Sequence, residues 1–303
     1  MQKLETPENL VVFMKDQNIK FENISEKEAI DFLNNNTYYK KISSYKNNFD
    51  YYIKDGKKMY RDLDFGYLTE LSTLDMEFRF LVLQMCLNVE HALKVRIMNK
   101  CLQEGENGFE IVSSFLHENP CVREHIMGNA YNSYCTDLIL THQEKFPIWV
   151  ILEVMSFGDL CRFHKFLVNN KYFTQKEVKI LLVVRDLRNA AAHSHCLFSK
   201  LIKENGVETP GSVQQYVAKI ADITPTQRRR QMSSRCINDF VTLLYAFEYF
   251  VDSIGIINHT KKELQSLFYE RMVRNEQYFA TCITVKNAYK FIKKVLDKFL
   301  QSE

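Results

Sequence analysis

The 303-residue chain contains little glycine and proline, the residues on which most tight turns depend. Nine glycines and five prolines are few for this length. β-Sandwiches and Rossmann domains need many more turns, so the composition argues against both classes. Apolar residues make up 46% of the chain and charged residues 25%, as in ordinary globular proteins. We therefore predict a mainly α-helical protein with enough residues for one sizeable core and additions to it.

The sequence also has no cysteines at metal-binding spacing. Its eight cysteines are scattered, and no two of them form a CxxC pair. A zinc site therefore has no signature, and a disulfide framework is not expected in a chain of this length. We expect reduced cysteines, no metal site and no cofactor.

Long apolar runs and a strong net charge are missing as well. The formal net charge is only +3, so contacts to nucleic acid must come from local basic clusters. The first residues, MQKLETPENLVVFMKDQ, contain no apolar signal-peptide core, and no stretch is long enough to span a bilayer. We expect a cytoplasmic protein with no membrane partner.

Helix start signals and one turn signal organise the N-terminal part. Thr6 precedes a proline at a predicted helix start, and Ser25 with Glu28 forms a capping box. The pair Asp55-Gly56 predicts a small β-hairpin within a segment rich in tyrosine and lysine.

Apolar residues at helical spacing predict a single long amphipathic helix over residues 64–101. Residues 147–170 read as one strongly apolar helix that contains Trp149, the only tryptophan, and we predict this helix to be a central core element. A further helix is predicted over residues 173–195. The looser composition of residues 199–212 predicts a boundary before a helical last third.

The segment RDLRNAAAHSH, from Arg185 to His195, concentrates polar side chains at the end of an apolar helix pattern. At about 100° per residue, Asn189 and His193 are neighbours on the helix surface. Arg185 and Arg188 project to the same side, opposite the apolar face. Three other residues project toward this polar side: Leu181, Leu182 and Cys196. A polar face with this apolar content suggests a cleft or a subunit interface.

Two interpretations of this segment remain open from its spacing. Arginine and histidine near a helix C-terminus complement the helix dipole, which is a purely structural role. Alternatively the cluster is an active site, because histidine titrates near neutral pH and arginine binds phosphate.

Four sequence motifs follow one another along roughly residues 10–200, and the last of them lies in the Arg185–His195 segment. They are YYKKISSYKNNF, LTELSTLDMEFRFLVLQMCLNVEHALKVRI, PIWVILEVMSFGDL and RNAAAH. Together they resemble the Abi-like (AbiD/AbiF) branch of the HEPN ribonuclease superfamily, in which RNAAAH is an R-N-x-x-x-H form of the active-site motif. Many relatives have a second histidine where this chain has Ser194, and an arginine where it has Cys196.

The resemblance implies an all-α HEPN-type helical bundle and a metal-independent endoribonuclease of an abortive-infection or toxin–antitoxin system. His193 would act as general acid or base, Arg188 would hold the phosphate, and Asn189 would orient His193 or reach the phosphate. Attack by the RNA 2′-OH would leave 2′,3′-cyclic phosphate ends. The resemblance further implies a homodimer, with an associated small RNA as a candidate regulator and no DNA partner. A non-catalytic RNA-binding module and a structural dimerisation protein are the alternatives.

Other residues are candidates for supporting the site or binding RNA. Glu90 and Glu153 lie within apolar helix patterns, where a carboxylate needs a partner. An internal ion pair to Arg79 or Arg162 competes with a role in supporting the site. The remaining candidate support residues are Arg185 and His195. The candidate RNA-binding residues are Lys40, Lys41, Lys46, Arg228, Arg229, Arg230 and Arg235. For these, a tyrosine-rich core and a solvated helix start are the competing interpretations.

The sequence thus divides into three predicted segments: an N-terminal helical, Tyr- and Lys-rich segment (1–62), a HEPN-like helical core (63–202) and a C-terminal helical accessory region (203–303).

Overall fold

A computed structural model describes residues 5–301 and confirms an all-α fold with one small antiparallel hairpin. In the N-terminal part, the Thr6 side chain caps the first helix, and Ser25 and Glu28 form the predicted reciprocal capping box. Asp55 and Gly56 turn the hairpin, both with positive φ. These elements are α1 (Pro7–Asp16), α2 (Glu26–Asn35), α3 (Tyr39–Ser44), β1 (Tyr51–Lys54) and β2 (Lys57–Tyr60).

The predicted long helix is α4, which runs from Phe65 to Gln103 and forms the axis of the molecule. Asp64 caps its first turn by accepting a hydrogen bond from the backbone of Gly66 at 2.7 Å. The helix ends before Gly105, whose φ of +66° suits glycine. Three short helices follow: α5 (Glu110–Glu118), α6 (Pro120–Gly128) and α7 (Thr136–His142).

The prediction of one helix over residues 147–170 is wrong. The structure has two helices there, α8 (Ile148–Val154) and α9 (Phe157–Asn169). Met155 and Ser156 are extended, and the Ser156 hydroxyl accepts the backbone N–H of Asp159, which starts α9. Ile148, Val150 and Ile151 of α8 are buried in the core, whereas Trp149 is 52% exposed on the outer face of this helix.

The helix carrying the RNAAAH motif is α10 (Gln175–Ala192). It runs beside α4 and packs against α9 and α13 as well. Residues 200–210 form the predicted loop, and the last third is helical. Its helices are α11 (Gly211–Ala218), α12 (Pro225–Gln231), α13 (Arg235–Phe250), α14 (Ile254–Gln265) and α15 (Ile283–Gln301). A π-helical turn (Ser266–Arg271) extends α14.

Two hydrophobic clusters stabilise the described part of the chain. The larger cluster combines the middle of α4, α8–α10 and the C-terminal helices α11, α13 and α15. The smaller cluster combines α1–α3, the start of α4 and two later residues, Phe279 and Cys282. Phe198 and Met272 pack against both clusters. The division into three segments at residues 62 and 202 remains a prediction. The first four residues of the first segment and the last two of the third lie outside the described residues.

Between residues 5 and 301, no helix combines the length and the apolar character that crossing a membrane requires.

Candidate active site

The motif helix α10 ends within the motif itself. Ala192 is its last residue, and His193 occupies the C-cap. The backbone N–H of Ser194 donates to Ala191 O at 3.0 Å, and that of His195 donates to Ala190 O at 2.9 Å. This pair of bonds is a Schellman motif, which requires a left-handed residue after the cap. Ser194 takes that conformation, with a φ of +55°. The predicted helix over 173–195 is therefore three residues shorter at its C-terminal end.

The predicted separation of faces on α10 is confirmed except at Leu181, which was predicted on the polar side and is buried in the larger cluster. Ile180, Val184, Leu187 and Ala191 are buried in the larger cluster, whereas Asn189 and His193 are exposed. Arg188 lies at the border and is half-buried. The end of α10 thus presents three motif side chains at or near the surface.

The Arg188 guanidinium is only partly satisfied within the protein. Its Nη1 donates to Asn189 Oδ1 at 3.4 Å, which is a long hydrogen bond. Its Nε is buried and has no hydrogen-bond partner among the described residues. An arginine with unsatisfied donors at a half-exposed position is suited to binding an oxyanion through its planar fork.

The imidazole of His193 is exposed and makes no hydrogen bond within residues 5–301. Its ring lies 6.0 Å from the ring of His195, centroid to centroid. The backbone N–H of His193 bonds Asn189 O at 3.0 Å, so the two motif residues are joined through the helix and not through their side chains. Both ring nitrogens of His193 therefore remain available for proton transfer.

Glu90 supplies a carboxylate near Arg188. Burial raises the pKa of Glu90, while the positive charges of Lys94 and Arg188 oppose this shift. Glu90 Oε2 is buried and has no hydrogen-bond partner among the described residues. Arg188 and Glu90 thus influence each other electrostatically, and no ion pair joins them within 4.0 Å.

The loop after the motif is held by residues far away in the sequence. The Asn48 amide donates to Phe198 O at 2.7 Å, and its Oδ1 accepts the Leu201 N–H at 2.8 Å. Asp75 Oδ1 accepts the Phe198 N–H at 2.8 Å, and Asp75 Oδ2 accepts the Tyr45 hydroxyl at 2.9 Å. Asn48, Asp75 and Tyr45 are all buried. We call these three side chains the loop clamp.

The loop clamp gives a physical reason for two of the four sequence motifs. Tyr45 and Asn48 belong to YYKKISSYKNNF, and Asp75 belongs to the α4 motif. These positions were part of the resemblance, but their role was missed because their contacts join residues 30 to 153 positions apart. Arg79, from the same α4 motif, lies 3.5 Å from Asp75.

Residues 156–158, the letters SFG of the motif PIWVILEVMSFGDL, lie where α9 begins next to α10. A Cβ atom at Gly158 would lie 3.7 Å from Ser156 Oγ and 3.9 Å from Arg185 Cδ, which are ordinary van der Waals distances, so the arginine stem passes close to α9 at this position. The Arg185 guanidinium turns away and binds Asp186 Oδ1 through two nitrogens, at 2.7 and 2.9 Å. Arg185 therefore contributes to helix packing and does not bond Arg188, Asn189 or His193.

Glu153 does not lie inside an apolar environment, contrary to the sequence interpretation. It is exposed on α8 and forms no hydrogen bond or ion pair with another residue of 5–301. The two arginines considered as its partners bind other carboxylates: Arg79 pairs with Asp75, and Arg162 pairs with Asp159 at 2.6 Å.

Lys46 also lies in a different environment from the one predicted. It is buried, and its ammonium donates to Gln17 Oε1 at 2.8 Å and to the Tyr39 hydroxyl at 2.9 Å. Burial lowers its pKa to about 8, with a contribution from Lys58. Lys46 is therefore a packing residue and not part of an RNA-binding surface.

The other basic candidates are accessible to different degrees. Lys40 is exposed, and Lys41 is half-buried. In the C-terminal region, Arg229, Arg230 and Arg235 are exposed, whereas Arg228 is half-buried. Arg235 and Asp186 of α10 both influence the pKa of Asp239, which places Arg235 on the α10 side of the C-terminal helices.

No group of three or more His, Cys, Asp or Glu residues suited to a metal ion occurs between residues 5 and 301.

A comparison with known families gives a match over the middle of the chain. The profile of the family described as Abi-like protein matches residues 31–199, which is more than half of the chain. The chain belongs to the Abi-like protein family. The matched range contains the loop clamp, α4, α9 and the whole RNAAAH motif of this Abi-like protein. Comparisons with curated proteins and with solved structures give no match.

Proposed function

We propose that this protein is a HEPN-type endoribonuclease of an abortive-infection or toxin–antitoxin system. Membership in the Abi-like family points to abortive infection as the biological role. The observation that carries the proposal is the end of α10, where Arg188 has unsatisfied guanidinium donors and His193 has an unbonded, exposed imidazole.

The proposed chemistry uses the RNA's own nucleophile and needs no metal ion. Arg188 holds the scissile phosphate and stabilises the charge that develops on its oxygens. His193 removes the proton of the 2′-OH or protonates the leaving 5′ oxygen. Asn189, which contacts Arg188, orients the guanidinium or the phosphate. The products are a 2′,3′-cyclic phosphate and a 5′-OH.

A single motif provides one histidine, so a second copy of the chain is proposed to complete the acid–base pair. An exposed apolar stripe on α4 supports a homodimer. Met76, Phe80 and Leu87 lie on one face of α4 and are 40%, 64% and 46% exposed. Glu90, near Arg188, follows on the same face, so the stripe leads to the motif. Isolated exposed apolar residues are common, but an aligned set next to a polar cluster is typical of an interface.

Exposed and half-buried cations are proposed to bind RNA outside the motif. These residues are Lys40, Lys41, Arg228, Arg229, Arg230 and Arg235. They would contact phosphates of the substrate or of an associated regulatory small RNA, without sequence preference. No contact to DNA is proposed.

The function is tested by incubating purified protein with a mixed RNA pool in EDTA and determining the chemistry of the ends. Wild type should cleave and leave cyclic phosphates, and His193→Ala should not. His195→Ala is the matched control, because it removes the neighbouring imidazole and keeps the motif. RNA with 2′-deoxy sugars should resist cleavage. RNA binding by wild type with no cleavage under any condition would support the non-catalytic RNA-binding module instead.

The dimer is tested by light scattering with Phe80→Glu, which places a charge in the α4 stripe. Ile254→Glu is the control, since Ile254 is 74% exposed on a different helix. A dimer that dissociates only in Phe80→Glu supports the proposed interface, and a monomeric wild type contradicts it.

A further inference from the structure

A cavity of about 510 Å³ lies between the first half of α4, α13, residues 266–280 and α15. Its volume falls in the range of about 300–1,000 Å³ that is typical of small-molecule sites. Five phenylalanines form much of its wall: Phe78, Phe198, Phe240, Phe268 and Phe279. Water molecules inside such a space find few polar partners, so an apolar occupant is favoured over water.

The aromatic wall is well ordered by its own contacts. The ring of Phe78 lies 4.8 Å from both Phe198 and Phe240, and Phe240 stacks on Phe268 at 5.7 Å. These four wall residues therefore hold one another in place through ring contacts.

The mouth of the cavity carries exposed polar residues with an excess of positive charge. Lys286 and Lys290 stand one helical turn apart on α15, and Glu276 is the one carboxylate among the lining residues. Lys286 Nζ donates to Ala280 O at 3.0 Å. Lys290 is exposed and makes no hydrogen bond or ion pair with another residue of 5–301.

The remaining polar groups at the cavity are already bonded or uncharged. The Tyr289 hydroxyl donates to Phe268 O at 2.8 Å, so it faces the protein backbone. Gln277 is exposed at the mouth. A molecule with an apolar body and one anionic group would place its body against the phenylalanines and its charge next to Lys290.

We propose that this cavity binds an amphipathic monoanion of the fatty-acid class. The site lies mostly outside the family match, because α13, residues 266–280 and α15 all follow residue 199. The proposal is independent of the nuclease chemistry, since none of the lining residues belongs to the RNAAAH motif.

One wall residue connects the cavity to the motif. Phe198 follows His193 by five positions, and its backbone is held at both N–H and C=O by the loop clamp. A ligand in contact with the Phe198 ring restrains residues 193–201 from the cavity side. Binding therefore slows hydrogen exchange in this loop, whether or not the protein cleaves RNA.

The test is calorimetric titration of the full-length protein with decanoate below its micellar concentration. Decanol and decyltrimethylammonium are the neutral and cationic probes of the same chain length. Binding in the order decanoate, decanol, decyltrimethylammonium is expected. Equal or stronger binding of the cationic probe overturns the assignment of an anion, and no binding of any probe overturns the site.

Three variants locate the site. Ala280→Trp obstructs the mouth at an exposed position, and Ala288→Phe fills the interior. Each should weaken decanoate binding at least about tenfold. The double variant Lys286→Ala, Lys290→Ala should weaken decanoate about three- to tenfold and leave decanol unchanged.

Lys293→Ala is the matched control, because this lysine lies on the same helix and does not line the cavity. Thermal melting identifies any variant that fails to fold, and Ala280→Trp keeps the test decisive if Ala288→Phe does not fold. Decanoate affinity that is unchanged in Ala280→Trp overturns the proposed location. If bound decanoate does not change the rate of amide hydrogen exchange in residues 193–201, the proposed link between the cavity and the loop after the motif is wrong.

Discussion

The side-chain amide of Asn48 holds the backbone of Phe198, 150 positions later in the chain, at 2.7 Å. The same side chain accepts the Leu201 N–H, so it bonds both ends of the short segment after the motif. An N-terminal element thereby fixes the loop that begins at His193. This gives a physical reason why the Tyr- and Lys-rich segment lies in the same family match as the RNAAAH motif, although it contributes no residue to that motif.

We expect Asn48→Ala to destabilise the protein by about 2–4 kcal/mol, because it leaves partly buried backbone groups of Phe198 and Leu201 without their side-chain partner. Urea unfolding measures this change. Asn47→Ala is the control, since Asn47 is exposed and makes only a local bond to Ser44 O. If Asn48→Ala lowers the free energy of unfolding no more than Asn47→Ala does, the role assigned to the loop clamp is wrong.

Ser194 should be a position where glycine is better than the native residue. Its φ of +55° is unfavourable for serine and natural for glycine in a Schellman motif. We expect Ser194→Gly to stabilise the protein by about 0.5–1 kcal/mol. Ser113→Gly, at an exposed position inside α5, should have the opposite effect of about 0.5–1 kcal/mol. Thermal melts of the two variants that shift in the same direction would falsify this assignment.

The helices with strong local signals were predictable from the sequence. The start of α4 at Phe65 follows from Asp64 and the apolar period, and its end follows from Gly105. The break before α9 was missed because the apolar run of residues 147–170 outweighed the capping signal Ser156-x-x-Asp159. The local sequence pattern alone does not show whether a continuous apolar run or a capping residue within it determines where a helix ends.

Only those features of the candidate site that depend on a single helix were predictable from the sequence. The face of α10 that carries Arg188 and Asn189 follows from the 3.6-residue period. The loop clamp does not, because the hydrogen bonds of Asn48 and Asp75 depend on how distant elements pack. Burial of Lys46 was missed for the same reason: three lysines in one segment look alike until packing covers one of them.

A buried network at the far end of α10 should contribute to stability in a pH-dependent way. Glu177 accepts hydrogen bonds from the Tyr249 hydroxyl at 2.6 Å and from His164 Nε2 at 3.0 Å. Burial raises the pKa of Glu177, but these hydrogen bonds, together with the charges of His164 and Arg96, outweigh burial and leave the pKa below its usual value. The stabilisation is therefore present at neutral pH and is lost as pH falls through the folded pKa.

We expect Tyr249→Phe to cost about 2 kcal/mol at neutral pH, because it removes a hydrogen bond to a charged carboxylate. Tyr245→Phe is the matched control. Its ring stacks on Tyr249 at 6.1 Å, and its hydroxyl has no hydrogen-bond partner within residues 5–301. Unfolding free energies at neutral and acidic pH test the idea, and a Tyr249→Phe cost that persists unchanged in acid contradicts it.

Asp239 should destabilise the protein at neutral pH. Burial raises its pKa to about 6 from 3.8, while the Asn238 amide and Arg235 limit the shift. The folded state therefore binds this proton more tightly than the unfolded state. The resulting cost is present above the folded pKa and disappears as pH falls below the unfolded pKa.

We expect Asp239→Asn to stabilise the protein by up to about 3 kcal/mol at about pH 8, and to have little effect near pH 4. Chemical unfolding at both pH values measures the difference. Asp252→Asn, at an exposed site, should be neutral at both. A gain in stability that is the same at both pH values would show that Asp239 does not titrate as assigned.

The planar fork of Arg188, and not only its charge, should be needed for RNA cleavage. Its Nε is buried without a hydrogen-bond partner among the described residues, and its Nη1 makes only the long bond to Asn189 Oδ1. Lysine keeps the charge but cannot bind a phosphate through two parallel bonds. We expect Arg188→Lys to lower the cleavage rate about 100-fold or more, and RNA affinity only a few-fold.

Arg185→Lys is the control on the same helix, because Arg185 is already bonded to Asp186. Single-turnover rates and binding constants measured on one RNA separate the two quantities. If Arg188→Lys and Arg185→Lys cleave RNA at the same rate, Arg188 acts only as a positive charge. If Arg188→Lys loses RNA affinity by the same factor as cleavage rate, Arg188 binds RNA without stabilising the transition state.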